Sequence, residues 1–173
     1  MGILWHSKQE VGLIQWGRNF FVGAGVMLIS LTVLGQPVPV DNSNGPPISF
    51  YANISADEQS AITESPGVGR VEFTLDRPTL RLSWKLTYTT LTSPATGVHI
   101  HGPQTPGGNA GVLVDLGGTG LKSPIEGSAI LDGGELEYLL TGRMYVNLHT
   151  TKYPDGELRG PIMRLRPDSK PRT

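Results

Sequence analysis

From Ile48 onward the chain is cut into short extended runs by Gly, Pro, Ser and Asp, and this punctuation constrains the fold more than any other feature. The runs are Ile48 to Ile54, Gly69 to Leu75, Thr79 to Tyr88, Gly97 to His101, Gly111 to Leu116, Arg143 to His149 and Glu157 to Leu165. In Leu80-Arg81-Leu82-Ser83-Trp84-Lys85-Leu86 the alternation is clean, which places Leu80, Leu82, Trp84 and Leu86 toward a core. Six or more strands with no long helix between them predict an all-β fold, an antiparallel Greek-key-like β-sandwich or barrel. One short helix is expected as well. Asp132 can cap it, Glu135 completes a capping box and Gly142 ends it, so that Leu136, Leu139 and Leu140 share a face against the sheet.

The stretch Thr141 to Ile162 joins a strand, a turn and a histidine. Met144, Val146 and Leu148 alternate with Tyr145, Asn147 and His149, the period-two pattern of a half-buried strand, so His149 should point away from the apolar face. Tyr153-Pro154-Asp155-Gly156 supplies turn chemistry before the next extended run, which makes a hairpin with a histidine near its mouth.

Before residue 48 the text differs. Lys8 and Arg18 precede an uncharged apolar run from Phe20 to Gly35, and Gln36-Pro37-Val38-Pro39 follows at once. This reads as an export signal cut ahead of Gln36, or as an uncleaved anchor; the run is short for a bilayer core of about 30 Å, which takes roughly 20 residues. Either reading puts the rest of the chain outside the cytoplasm, in the periplasm, secreted or at the cell surface, with the membrane touched only through the N-terminal segment. Residues 1–35 are then leader or anchor, 36–47 a proline-bearing linker, 48–166 one domain and 167–173 a basic tail.

Several function classes drop out. The chain has no cysteine, so disulfides, Cys-ligated zinc, iron–sulfur clusters and thiol catalysis are excluded. A formal net charge of -1 gives no overall field for nucleic acid, and no such partner is expected. No nucleophile elbow, phosphate loop, HExxH helix or dinucleotide fingerprint occurs. Gly107-Gly108-Asn109-Ala110-Gly111 precedes a strand rather than a helix and reads as a turn. Asn53-Ile54-Ser55 fits the glycosylation acceptor pattern, inside a predicted strand.

Three histidines lie outside the leader: His99, His101 and His149. His99 and His101, two apart on a strand, share a face about 7 Å apart at the backbone, a span one metal ion can bridge. His149 joins them only if its strand neighbours theirs. Three neutral imidazoles with an open position suit copper, or zinc as the alternative, and the lack of thiolates argues against a purely structural zinc site. The competing reading is histidines that cap a sheet rim. Glu157 and Arg159, two apart on one strand face, read first as an exposed ion pair, and second as groups that hold an anion or orient a histidine. Asp115 is a further candidate ligand.

Together, Gly97-Val98-His99-Ile100-His101-Gly102-Pro103, Tyr145-Val146-Asn147-Leu148-His149-Thr150 and Pro154-Asp155-Gly156-Glu157-Leu158-Arg159-Gly160 resemble the CHRD domain, named for chordin, with the likeness spanning about Ile48 to Arg164. The resemblance implies a β-rich domain that also occurs alone in exported bacterial proteins. Chordin's cysteine-rich repeats are absent, so a growth-factor partner is not carried over. The order of His99, His101, His149 and Arg159 is also similar to that of the copper ligands and active-site arginine of Cu,Zn superoxide dismutase. That likeness implies a copper site with Arg159 drawing in an anion, although no bridging histidine, zinc cluster or disulfide accompanies it. Three readings follow: an exported, non-enzymatic module binding a metal or an unknown protein or surface partner; a copper redox enzyme; and a structural surface module without ligand.

Overall fold

The computed structural model describes residues 45–105 and 108–166; the expected leader or anchor, most of the expected linker and the C-terminal tail lie outside the described residues. Within them nine strands form one continuous antiparallel sheet: β1 (Ile48–Ser55), β2 (Val68–Asp76), β3 (Arg81–Thr89), β4 (Ala95–His101), β5 (Val112–Asp115), β6 (Ile125–Ile130), β7 (Tyr145–Thr150), β8 (Leu158–Pro161) and β9 (Met163–Arg164). Their order is β5-β4-β7-β8-β1-β2-β3-β6, with β9 added on β1. The sheet curls into a near-closed barrel, so of the two architectures the sequence allows it is the barrel that forms. The pairings β4–β7, β8–β1 and β3–β6 join strands that are not consecutive, crossovers of the Greek-key kind. The segment after β5 reaches the strands at the other end of the sheet: Thr119 Oγ1 donates to Glu126 O of β6 at 3.1 Å, Trp84 Nε1 of β3 donates to Leu116 O at 3.2 Å and Tyr88 Oη of β3 donates to Leu121 O.

Alternation sets the inside. Leu82 and Leu86 are fully buried and Trp84 nearly so, while Leu80 is in the preceding turn with φ 54° and packs at the core's margin. Phe50, Ala52 and Ile54 of β1, Val71, Phe73 and Leu75 of β2, and Val98 and Ile100 of β4 fill the same interior. With no cysteine to staple the chain, this burial, at about 1.5–3 kcal/mol per large side chain, is the main term holding the barrel together.

The helix α1 (Gly133–Leu140) forms where the sequence places it. Asp132 and Glu135 make the reciprocal capping box, and Leu136 and Leu139 are buried. At its end Gly142, at φ 70°, lets Gly142 N–H reach Leu139 O and Arg143 N–H reach Tyr138 O, the two bonds of a Schellman cap. None of the helices among the described residues is long and apolar enough to cross a membrane.

Three features escape the sequence pattern. Strand β6 has one fully buried residue, Ile125, because Gly127 faces Trp84 across the ladder and the indole fills the space a side chain would take; a Cβ at Gly127 would lie 2.6 Å from Trp84 Cζ2. The run expected from Glu157 to Leu165 is divided into β8 and β9, and Glu157 precedes the ladder. At Gly160 the backbones of β8 and β1 come so close that a Cβ would meet Asn53 O at 1.9 Å, so only glycine permits this pairing.

Candidate metal centre

Strand β7 lies between β4 and β8, and its register decides what can meet. His101 faces Tyr145, His99 faces Asn147 and Gly97 faces His149, while Asn147 faces Arg159 on the other side. Directly opposed residues point the same way, so His99, His101, Tyr145, Asn147, His149 and Arg159 all project from the outer face of the barrel wall. The two histidine segments, distant in sequence, are therefore hydrogen-bonded neighbours.

That outer face is not half-buried in the simple sense the alternation suggests. Tyr145, Asn147, His101 and Arg159 are buried on it, beneath covering segments. Gln59 Nε2 donates to Asn147 Oδ1 at 2.7 Å, and Asn147 Nδ2 donates to Asp155 O at 3.1 Å. The turn leaves no room beyond that amide: Gly156, at φ 125°, would place a Cβ 2.3 Å from Asn147 Oδ1. Gly108 to Ala110 form a second cover, tied down by Arg159 and Tyr145.

The three imidazoles converge under this cover. Ring centroids are 5.8 Å apart for His99 and His101, 5.1 Å for His99 and His149, and 6.0 Å for His101 and His149. Carbonyl oxygens can only accept, so His101 Nδ1 and His149 Nδ1 must carry the protons donated to Ala110 O at 2.9 Å and Pro154 O at 2.8 Å. Their Nε2 atoms are then lone-pair acceptors when the rings are neutral. His101 Nε2, His149 Nε2 and His99 Nδ1 are all buried without any hydrogen-bond partner. Each histidine offers one ligand nitrogen, and these atoms lie within 4.8 Å of one another.

Burial, followed by the nearness of His149, pushes the pKa of His99 below the ordinary imidazole value, with Asp115 pulling the other way. Burial also lowers that of His101; the bond to Ala110 O opposes this, while His149, His99 and Arg159 add to it. Both rings are thus held neutral at neutral pH, the protonation state a metal ligand needs. The group could hold a metal. Three nitrogens each about 2.0–2.1 Å from one ion would stand roughly 3.3–3.5 Å apart, so atoms within 4.8 Å of one another close around it with side-chain movements of less than about 1 Å each.

The remaining sequence candidates behave differently. Asp115 faces His99 from β5 but is exposed, accepts a bond from Gly117 N–H at 2.8 Å and stays outside the three-nitrogen group. Glu157 and Arg159 are both buried and do not form the exposed ion pair that their spacing suggests. Glu157 instead accepts bonds from Ser65 Oγ, Thr92 N, Thr92 Oγ1 and Thr150 Oγ1 at 2.6–2.8 Å. Burial would raise its pKa, but the bonds from Thr150, Ser65 and Thr92 together outweigh it and hold the carboxyl below its ordinary value. Arg159 donates to Asn109 Oδ1 at 3.0 Å and Gly108 O at 3.1 Å, with its guanidinium 3.7 Å from the centre of the Tyr145 ring.

Two contributors are invisible in a search for ligands. Gly97 opposes His149, and a Cβ there would press on His99 Cε1 at 3.0 Å, so its bare backbone lets the His99 ring lie where it does. A glycine two positions before a histidine inside a strand is the signal that marks such a close approach. The Gly-rich turn is the other: its backbone supplies the carbonyl that orients His101.

Compared with known families, residues 50–162 match the CHRD domain model, a range that takes in the barrel from Phe50 to Ile162 and all three histidines. No curated protein and no solved structure matches this chain. With well over half of its length covered, the chain belongs to the CHRD domain family.

Proposed function

We propose that this CHRD domain is a binding module that holds one transition-metal ion on His99 Nδ1, His101 Nε2 and His149 Nε2, with copper as the first candidate and zinc as the second. The observation that carries this reading is a group of three histidines, each offering a ligand nitrogen within 4.8 Å of the others and each with one buried ring nitrogen that has no hydrogen-bond partner. Leaving such acceptors dry and unsatisfied costs about 1–3 kcal/mol each, a cost that coordination removes. Two of the rings have the opposite nitrogen anchored on a backbone carbonyl, the outer-sphere arrangement that fixes tautomer and ring plane in metal sites. A bound ion would supply a Lewis-acidic centre with an open coordination position. The donor set of neutral imidazoles without thiolate suits copper and zinc, and copper stands higher in intrinsic affinity.

The redox reading has less support. Its parallel with superoxide dismutase rests on residue order alone, and the Arg159 guanidinium that would attract an anion is bonded to Asn109 and Gly108 and stacked on Tyr145. Export is part of the proposal and rests on the apolar run from Phe20 to Gly35. An unknown protein or surface partner has no residue-level support.

Metal content of protein purified without a histidine tag, followed by titration with Cu²⁺ and Zn²⁺, tests the reading. One equivalent bound, with His149→Ala weakening affinity more than about ten-fold, is expected. No metal retained and none bound on titration would overturn it. Superoxide consumption at stoichiometric copper then separates binding from catalysis.

A further inference from the structure

Both interactions that fix His101 lead back to one residue. Its ring is stacked on Tyr145, with centroids 5.1 Å apart and planes 8° from parallel, and the Arg159 guanidinium covers the Tyr145 ring at 3.7 Å. Its Nδ1–H donates to Ala110 O, and Ala110 N–H in turn donates to Tyr145 Oη at 3.0 Å. Gly108 and Asn109, the residues just before Ala110, are the two that Arg159 grips through separate Nη atoms. Tyr145, Ala110 and His101 thus form a closed ring of contacts, which Arg159 grips at two points, the face of Tyr145 and the Gly108–Asn109 segment just before Ala110. A planar guanidinium fits this role because it stacks on an aromatic face while its edge N–H groups reach two acceptors. His149 differs: its Nδ1–H is anchored on Pro154 O, a contact in which Arg159 takes no part.

We infer that Arg159 is a positioning residue, which through Tyr145 and Gly108–Ala110 fixes the plane and the Nδ1–H tautomer of His101 and so aims His101 Nε2 into the three-histidine site. The inference rests on the metal reading for its consequence but not for its geometry. Without Arg159 the 108–110 segment loses both of its contacts from β8, one to Gly108 O and one to the Asn109 side chain, and the carbonyl that selects the tautomer is held less firmly by the remaining Tyr145 contact. His101 then samples both tautomers and more than one ring orientation, only one of which presents a lone pair to the ion.

The experiment compares unaltered protein, Arg159→Ala and Arg159→Lys, each first checked for a cooperative melt. Long-range ¹H–¹⁵N spectra of the metal-free protein at about pH 8, where imidazoles are neutral, report the tautomer of each histidine. In the unaltered protein both His101 and His149 are expected as Nδ1–H. In Arg159→Ala, His101 is expected to show mixed tautomers while His149 is unchanged, and Zn²⁺ affinity is expected to fall about ten-fold. Arg159→Lys, which keeps the charge but lacks the planar fork, is expected to move both readouts in the same direction; it carries the test if Arg159→Ala does not fold. A single Nδ1–H tautomer at His101 in the variants, with unchanged affinity, overturns the assignment, as does an equal disturbance of His101 and His149, which would mark a general loss of packing. The tautomer is read without metal. Failure of the unaltered protein to bind zinc or copper would therefore end the metal reading, and the spectra would still decide the role of Arg159.

Discussion

Two stretches of the same barrel wall treat their outward-facing polar side chains in opposite ways. On β2, β3 and β6, Arg70 and Glu72 pair at 3.1 Å and Lys85 and Glu126 at 2.9 Å, all with roughly half or more of their side-chain surface in water. On β4, β7 and β8 the outward face is roofed by Gln59, by Gly108 to Ala110 and by the Tyr153–Gly156 turn, and His101, Tyr145, Asn147 and Arg159 lie beneath. Both stretches are period-two antiparallel strands; the difference is the cover. In water an unpaired polar atom is solvated at little cost, whereas under a roof each one needs a partner. The amide of Asn147, the carboxylate of Glu157 and the guanidinium of Arg159 all find partners, so the three ring nitrogens that do not are what sets this region apart.

The largest break in the comparison is expected at Glu157. Replacing it with Ala strands Ser65, Thr92 and Thr150 around a cavity and should lower unfolding stability by about 3 kcal/mol in urea titrations. A cost no greater than that of a solvent-facing change would erase the contrast between the two stretches. The carboxyl's folded pKa lies below its ordinary value, so its contribution is fully present above about pH 4.5 and is lost as pH falls through the folded value. Glu157→Gln should remove that part of the acid dependence, and the stability gap between the two proteins should narrow only on the acid side.

A smaller effect, on binding rather than folding, is expected at Gly97. Gly97→Ala should push the His99 ring by a few tenths of an ångström and weaken Zn²⁺ affinity roughly three- to ten-fold. Stability should change by less than about 1 kcal/mol, because the backbone restriction gained in the unfolded chain offsets the crowding. Equal affinity in the two proteins would show that the bare backbone at this position is not needed by the site. The smallest effect is expected on the unroofed side: Glu126→Ala should leave the urea midpoint where it was, and any residual change should vanish in high salt.

Much of the barrel was legible because alternation and capping are local. Asp132, Glu135 and Gly142 delimit the helix in the sequence as they do in space, and Leu82, Trp84 and Leu86 point inward as their spacing requires. Strand β6 was not legible, since its inward position opposite Trp84 is a glycine and the pattern is completed by a side chain from another strand. At the site, the shared face of His99 and His101 followed from their spacing. The approach of His149 depends on the β4–β7 register, which motif order hinted at and spacing could not fix. The burial of Glu157 and Arg159 was hidden for a different reason: strand periodicity reports which way a side chain points, not whether a loop from elsewhere comes to lie over it.

The β4–β7 ladder also governs when the donor set comes into being. Before β4 and β7 pair, the domain holds one pair of imidazoles two residues apart, His99 and His101, with the third, His149, 48 residues beyond His101. An ion held by all three histidines would require the β4–β7 pairing to be in place, and any free energy it brought would stabilise the paired state.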